Sequence, residues 1–176
     1  MTETRTTSPT PDELKGWFAG RLPDGWFSGT PDVDADREEI LVVGPVAEPD
    51  LPADATDETK QAALASRIQG FREDTRAQRM RIADEAQHRF GRRVSWGASC
   101  GERRELFTTV AAPAMTRLRM PERKVLDTLV DSGVARSRSH ALAWCVRLVA
   151  DNQDEWLRDL RDALTKVEKV REEGPA

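Results

Sequence analysis

Residues 97–101 are the first place where the sequence could carry catalytic chemistry, because they read Gly-Ala-Ser-Cys-Gly. A Gly-x-Ser-x-Gly sequence presents the nucleophilic serine of α/β-hydrolases on a sharp turn between a strand and a helix. The serine also needs an acid and a histidine later in the chain, so that an imidazole can accept its proton. Here a strand pattern follows Ser99, and His140 is the only histidine after it. We therefore expect that Ser99 is not a nucleophile.

Cysteine and aspartate residues give two further candidates for chemistry. Cys100 has no identifiable base, because the nearest histidine, His88, precedes it on a predicted helix, and no third orienting group is apparent. Asp32, Asp34 and Asp36 imitate the start of a calcium loop, but the glycine required at the sixth position is absent. We expect a solvated acidic loop there, and no metal, no cofactor and no enzymatic activity in the chain.

Length and composition limit the range of folds. The chain has 176 residues, of which 33% are charged and 38% hydrophobic, so it suits one modest domain or two small ones and excludes a large multidomain enzyme. No apolar run approaches the roughly 18 residues of a membrane helix, and residues 1–10 are polar. Two cysteines are too few for a disulfide scaffold. We expect a disordered tail over residues 1–10 and a cytoplasmic protein.

Charge is distributed unevenly along the chain, although the net charge is only −4. Residues 1–60 carry 5 basic and 14 acidic side chains, residues 61–126 carry 14 and 7, and residues 127–176 carry 8 and 10. Arginine supplies 22 of the 27 basic residues, and its guanidinium binds phosphates and base edges bidentately, although a GC-rich genome would produce the same bias. The middle of the chain is therefore where we expect an anionic partner.

Residues 11–112 predict an α+β domain. A helix opens at residues 11–13 and ends at the turn of residues 23–25, and residues 26–27 and 40–43 read as strands. The second of these strands is apolar on both faces, which predicts a central position in a small sheet. Further strands are expected around residues 94–96 and over residues 106–110, joined by a hairpin turn at residues 100–103.

A long amphipathic helix is predicted from about Asp57 to Phe90, with apolar residues at three- and four-residue steps. It is the most basic helix of the chain, so contact with a DNA backbone is one interpretation. A solvated face balanced by neighbouring carboxylates is the other, and we favour it because charge runs usually lie on solvated faces. The basic residues concerned are Arg67, Arg72, Arg76, Arg79 and Arg81.

Residues 115–150 hold the most informative pattern. Period-two alternation over residues 115–120 predicts a strand with Leu118 on one face and Arg117 and Arg119 on the other. Pro121 then opens a helix that Gly133 ends, and Ser137 is a good N-cap for a second helix. One short strand followed by two helices cannot bury its apolar face alone, so the strand needs a partner.

This strand-helix-turn-helix pattern over residues 114–150 resembles the ribbon-helix-helix family (Arc/MetJ/CopG-like). In that family, two chains pair their strands into an antiparallel ribbon that enters the major groove of DNA. The Ser-Arg-Ser-His run at residues 137–140 is similar to the family's Ser-Arg-Ser-Glu type of helix entry, with His140 replacing the acidic residue. The resemblance implies a homodimer that binds double-stranded DNA. Its implied dimer core comprises Leu118, Leu126, Leu129, Leu142 and Val146.

The resemblance also implies which residues touch DNA. Base reading falls to Arg117 and Arg119, with Met115 as a weaker candidate; the alternative is an edge strand whose charges prevent aggregation. Phosphate binding falls to the start of the second helix, where backbone N–H groups and the helix dipole favour an anion. The alternative for Ser137 is a simple helix cap. The implied phosphate-binding residues are Ser137, Arg138 and Ser139.

We therefore predict a cytoplasmic, nucleoid-associated bacterial transcriptional regulator. The alternative is an antitoxin-like protein or a dimerising adaptor that uses the same fold without reading DNA. Residues 151–176 predict a terminal helix with coiled-coil spacing, which could extend the dimer or pack on the N-terminal domain. The N-terminal domain is expected to bind an effector or a second protein. The predicted divisions are residues 1–10, 11–112, 113–150 and 151–176.

Overall fold

A computed structural model describes residues 9–173. They form two compact units, the first ending at Pro113 and the second beginning at Ala114, and the expected α+β class is confirmed. The first unit contains α1 (Pro11–Arg21), β1 (Asp32–Ala35), β2 (Glu39–Pro45), α2 (Asp57–Asp74), α3 (Arg76–Phe90), β3 (Arg93–Cys100) and β4 (Arg103–Leu106). The second contains α4 (Met120–Asp131), α5 (Arg138–Asn152) and α6 (Asp154–Glu173).

The first unit is organised around a four-stranded sheet with the order β1-β2-β3-β4. The β2–β3 pair is parallel and the two outer pairs are antiparallel. Ile40 and Val42 of β2 are fully buried, so the predicted central position of this strand is confirmed. Helices α2 and α3 form the crossover that a parallel pair requires.

Two apolar clusters join the helices to the sheet. In one, Phe18 of α1 and Ala86 of α3 meet Ile40 and Trp96. In the other, Ile68 of α2 meets the β3 side chains Ala98 and Cys100, which lie on the same face of the strand as Trp96. All three helices of the unit therefore contribute to burying this face of the central strands.

Three strand predictions in the first unit are wrong. Residues 32–35 form β1 instead of a loop, because pairing with β2 buries Val33 while Asp32 and Asp34 stay outside. Residues 26–27 form no strand; their rings pack on Phe71 instead, with centroids 5.8 Å and 5.3 Å from its ring. The last strand spans Arg103–Leu106 instead of residues 106–110, so it begins and ends earlier than predicted.

The early end of β4 has a local cause. Phe107 still donates its N–H to the Trp96 carbonyl at 2.7 Å, but the N–H of Trp96 donates to the Thr108 hydroxyl at 3.2 Å. A side-chain oxygen thus takes the place of the backbone carbonyl that would continue the ladder.

The single long helix predicted for residues 57–90 is interrupted at Thr75. The Thr75 hydroxyl donates to the Phe71 carbonyl at 2.6 Å, a contact between a hydroxyl and the preceding turn that bends helices. The same hydroxyl accepts from Arg79 Nε at 2.9 Å. Arg79 is only 6% exposed, so the predicted solvated face is wrong for this residue.

The Gly-Ala-Ser-Cys-Gly sequence belongs to a β-hairpin. Ser99 lies within β3 opposite Arg104, and Gly101 (φ +55°) makes the turn into β4, as the hairpin prediction required. The strand that follows Ser99 is therefore confirmed. Burial raises the pKa of the Cys100 thiol, which keeps it protonated at neutral pH. Neither residue has the surroundings of a nucleophile.

The helical part of the second unit confirms the sequence prediction. Pro121 lies in the first turn of α4, Gly133 (φ +78°) follows its end, and Ser137 caps α5. Leu126 and Ala141 are buried where α4 and α5 pack together. The C-terminal helix also forms, as α6. None of the described helices has the combination of length and hydrophobicity that crossing a membrane requires.

The strand predicted over residues 115–120 is not formed within one chain. Residues 108–119 are neither helix nor strand, and Met120 already belongs to α4. A lone segment cannot complete a β ladder, because ladder hydrogen bonds require a partner strand. The disordered tail expected over residues 1–10 lies outside the described residues except for residues 9 and 10.

Gly97→Ala should destabilise the first unit. A Cβ at this position would lie 2.7 Å from the Glu105 carbonyl oxygen and 2.9 Å from a Leu106 methyl. Overpacking against backbone should lower the free energy of unfolding by about 1–3 kcal/mol, measured by urea denaturation. Gly70→Ala in α2 is the control: a Cβ there meets nothing within 4 Å, so stability should rise by about 0.5–1 kcal/mol. Equal effects of the two substitutions would contradict this packing argument.

Candidate nucleic-acid interface

The segment before α4 places the predicted base-reading residues in solvent. Met115 is 99% exposed, and Arg117 and Arg119 are exposed as well. Leu118, between the two arginines, is half-buried against the cluster of Leu126, Ala135 and Ala141. Thr116 and Met120, which the predicted alternation places on the same face as Leu118, are exposed, so Leu118 alone has the predicted burial and no strand is formed.

Contacts with α4 fix the end of this segment. Arg119 has an extended backbone (φ −80°, ψ 173°) and occupies the N-cap position of the helix. Arg123 Nη1 donates to the Leu118 carbonyl at 2.7 Å. The side chains of Arg117 and Arg119 take part in none of the ion pairs between described residues. Two guanidinium groups are thus exposed within three residues and can bind an anion or a base edge.

The start of α5 has the features of an anion site. The Ser137 hydroxyl accepts the N–H of His140 at 3.2 Å, which confirms the N-cap prediction. The backbone N–H groups of Arg138 and Ser139 are not used by other described residues, and both side chains are exposed. First-turn N–H groups and the helix dipole together favour a negative group at this position.

His140 has a local structural role. Its Nδ1 accepts the backbone N–H of Arg136 at 3.2 Å, which holds the turn between α4 and α5 against the first turn of α5. The departure from the acidic residue of the ribbon-helix-helix pattern is therefore accommodated by a hydrogen bond within the turn.

The Arg138 side chain binds a carboxylate within the chain. Its Nε lies 2.6 Å from Asp127 Oδ1 and its Nη2 lies 2.8 Å from Oδ2, a bidentate pair that joins α4 to α5. This pair lowers the pKa of Asp127 and raises that of Arg138. The phosphate role expected for Arg138 therefore faces an internal competitor. Sequence reasoning missed Asp127, because its contact with Arg138 depends on how α4 and α5 pack.

The predicted dimer-core residues differ in burial. Leu126 is buried, Leu118, Leu129 and Leu142 are half-buried, and Val146 is 63% exposed. Among the described residues, twelve of the fourteen large apolar side chains that remain exposed belong to the second unit. Large contiguous patches of such residues are rare on soluble monomers, and here the exposed residues recur along two consecutive helices. The exposed set within α5 and α6 comprises Val146, Leu148, Val149, Trp156, Leu160, Leu164, Val167 and Val170.

Both units match known protein families. Residues 12–106 match the Rv1265-like protein, N-terminal domain, and residues 119–171 match the Mb1296 C-terminal domain. The chain belongs to the Rv1265-like family.

Its relatives include the uncharacterized proteins Mb1296 of Mycobacterium bovis and Rv1265 of Mycobacterium tuberculosis. Each is 57% identical over 160 residues, a region that covers 90% of this chain and 69% of the relative. No solved structure matches the chain.

The Arg138–Asp127 pair should produce a measurable pH dependence. The Asp127 carboxyl should titrate below the ordinary value of about 3.9, and Arg138→Gln should move its NMR titration midpoint upward. A carboxyl whose pKa is depressed by folding stabilises the folded state above its unfolded-state pKa and loses that contribution as the pH falls through its folded-state pKa. The stability difference between wild type and Arg138→Gln should therefore be present at neutral pH and vanish in acid.

Arg136→Gln is the matched control for this titration, because the Arg136 side chain forms no ion pair with a described residue. It should leave the Asp127 midpoint almost unchanged. An Asp127 midpoint that responds equally to both substitutions would mean that general positive charge, not the bidentate contact, depresses the pKa.

Proposed function

We propose that the chain is a sequence-specific DNA-binding protein that acts as a homodimer, in the manner of a bacterial transcriptional regulator. Residues 115–119 would pair with the same segment of a second copy, forming a two-stranded ribbon that enters the major groove. The observation that carries the proposal is the segment itself, which exposes Arg117 and Arg119 while Leu118 packs on the α4–α5 core.

Unpaired backbone supports the dimer. Residues 115–119 form no ladder within the chain. The Leu118 and Arg119 carbonyls already accept from Arg123, so a second copy would pair with the N–H groups and with the carbonyls of residues 115–117. The exposed apolar residues of the second unit supply surface that a second copy would bury. A second copy also places the same exposed groups symmetrically about a two-fold axis, which suits a palindromic DNA site.

The proposed contacts have two roles, base reading and phosphate binding, which follow from the chemistry of the residues. Arg117 and Arg119 would read bases, because a guanidinium forms two hydrogen bonds with guanine O6 and N7, and Met115 would add an apolar contact. The capped start of α5 would bind phosphate through the N–H groups of Arg138 and Ser139, with Ser137 holding that turn in place. The protein would act in the cytoplasm on the nucleoid, without cofactor and without catalysis.

A second candidate function is that of a dimerising adaptor or antitoxin-like protein that does not read DNA. The observation that favours it is α6, whose exposed residues Trp156, Leu160 and Leu164 recur at helical spacing and could contact another protein. A stable complex with one partner, and no protected DNA, would support this function instead.

The double substitution Arg117→Ala/Arg119→Ala should abolish sequence-specific binding and preserve the dimer. Bidentate base contacts are each worth about 1–3 kcal/mol of discrimination, so the loss of two contacts should lower specific affinity by at least about 30-fold. Duplexes recovered by genome-wide occupancy would serve in a gel-shift titration, with sedimentation reporting the oligomeric state.

Arg161→Ala/Arg171→Ala in α6 is the matched control, because it removes the same charge from exposed positions outside the proposed interface. It should leave the operator preference intact. In the wild type, each neutralised phosphate should contribute about −0.9 to the log–log slope of affinity against salt. Loss of the dimer in the Arg117/Arg119 variant would point to a structural role for these arginines.

Asp127→Asn should strengthen DNA binding in general, because it frees the Arg138 guanidinium to approach phosphate. We expect a steeper salt dependence and about a two- to tenfold higher affinity for specific and non-specific duplexes alike, since phosphate contacts carry no sequence information. Asp131→Asn, at the end of the same helix and without a contact to Arg138, is the control. Weaker binding by Asp127→Asn would indicate that the ion pair is needed to orient α5.

A further inference from the structure

A cavity of about 570 Å³ lies in the first unit, where α2 and α3 meet beside β3 and the end of β4. Three arginines from the two helices line it, Arg72, Arg76 and Arg79, together with Trp96 and Phe107 from the sheet side. Its volume lies within the range of about 300–1,000 Å³ that is typical of small-molecule sites. No part of the proposed DNA interface contributes to it.

Arg79 is held at this cavity by contacts from the helix bend. Its Nε donates to the Thr75 hydroxyl and its Nη2 donates to the Arg72 carbonyl at 2.6 Å. Nη1 forms no hydrogen bond with any described residue. The side chain is thus more than nine-tenths buried, fixed along one edge, and left with donors that the surrounding chain does not use.

The cavity lining is net positive, because three arginines face one carboxylate, that of Glu73, among the described residues that line it. None of the ion pairs between described residues includes Arg72, Arg76 or Arg79. Glu73 keeps its charge but accepts from the neutral Gln69 Nε2 instead of forming an ion pair with one of these arginines. Burial, and then the charges of Arg72 and Arg76, lower the pKa of Arg79. A buried charge without a partner is unfavourable, and an anion would offset it.

Phe107 keeps two of the arginines in place. The guanidinium carbon of Arg79 lies 4.9 Å from the centre of its ring and that of Arg72 lies 5.8 Å away, so both make cation–π contacts. A guanidinium stacked on an aromatic face still offers its in-plane N–H groups. The contacts therefore order the positive groups before any ligand arrives.

We propose that this cavity binds a small organic anion through a phosphate or carboxylate group. The oxyanion would accept hydrogen bonds from Arg79 and from Arg72 or Arg76, while Met80 and Val94, which also line the cavity, would contact its carbon skeleton. A nucleic-acid backbone fits less well, because Arg79 is 6% exposed and a duplex phosphate cannot follow it into the concavity. The proposal does not depend on DNA binding, since every residue concerned belongs to the first unit.

Titrating the full chain with sodium phosphate and with sodium succinate, against sodium chloride at matched ionic strength, tests the proposal. A ligand that binds the folded state raises the unfolding temperature with concentration, so at least one probe should exceed the chloride effect and give a calorimetric binding isotherm. Binding of phosphate alone would indicate a phosphorylated ligand, and binding of succinate alone a carboxylic acid. If neither probe exceeds chloride, the proposal is wrong.

Arg72→Gln/Arg76→Gln should weaken binding of the effective probe by at least about tenfold, the factor expected for losing one charge-assisted hydrogen bond. Arg67→Gln, on α2 but outside this cavity, is the control and should bind as the wild type does. Retained binding in the double variant would overturn the proposal. So would a double variant that loses DNA affinity but binds the probe normally, because the arginines would then contact a DNA backbone.

Arg79→Met separates this proposal from a structural role for the arginine. Methionine keeps most of the buried volume and removes the charge, so without anion the variant should unfold at the wild-type temperature or above it. It should also lose the anion-dependent rise. If Arg79→Met does not fold, the double variant decides the question. A folded Arg79→Met that keeps the full anion response would overturn the proposal.

Discussion

Parallel pairing of β2 with β3 requires the chain to return along the whole sheet between Pro45 and Arg93. Helices α2 and α3 form this connection, and their apolar faces also cover the central strands. The bend at Thr75 lies within this crossover, and it directs Arg79 inward, toward Phe107. The arginine-lined cavity is thus formed by the same two helices, α2 and α3, that connect β2 to β3.

The sequence predicted correctly those helix ends that are determined by interactions within a single turn. Pro121, Gly133 and Ser137 act through the backbone of their own turns, and the structure has the helix ends where these residues predict them. Predictions failed where distant contacts decide the outcome. Val33 becomes part of a strand because it pairs with β2. Arg79 is buried because it donates a hydrogen bond to Thr75 and packs on the Phe107 ring. The Asp127–Arg138 pair joins two helices, so neither residue reveals it alone.

The second unit has a small core. Among its described residues, the buried apolar ones are Leu126, Ala135 and Ala141, and two of the three are alanines. So little buried surface contributes only a few kcal/mol against the entropy of ordering three helices. This shortage agrees with a unit that completes its folding energy by association. The proposed dimer would cover the predicted dimer-core residues that a single chain leaves half-buried or exposed.

Aromatic rings run without a gap from α1 to the cavity. Trp17 contacts Phe18, and the series continues through Trp96, Trp26 and Phe71 to Phe107, with neighbouring centroids 4.8–6.3 Å apart. The first four pairs pack edge to face and the last, Phe71 with Phe107, is tilted by 40°, so each ring fills space beside the next. The series therefore connects the wall of the cavity at Phe107 to the first helix, more than eighty residues away in sequence, through side chains in continuous contact.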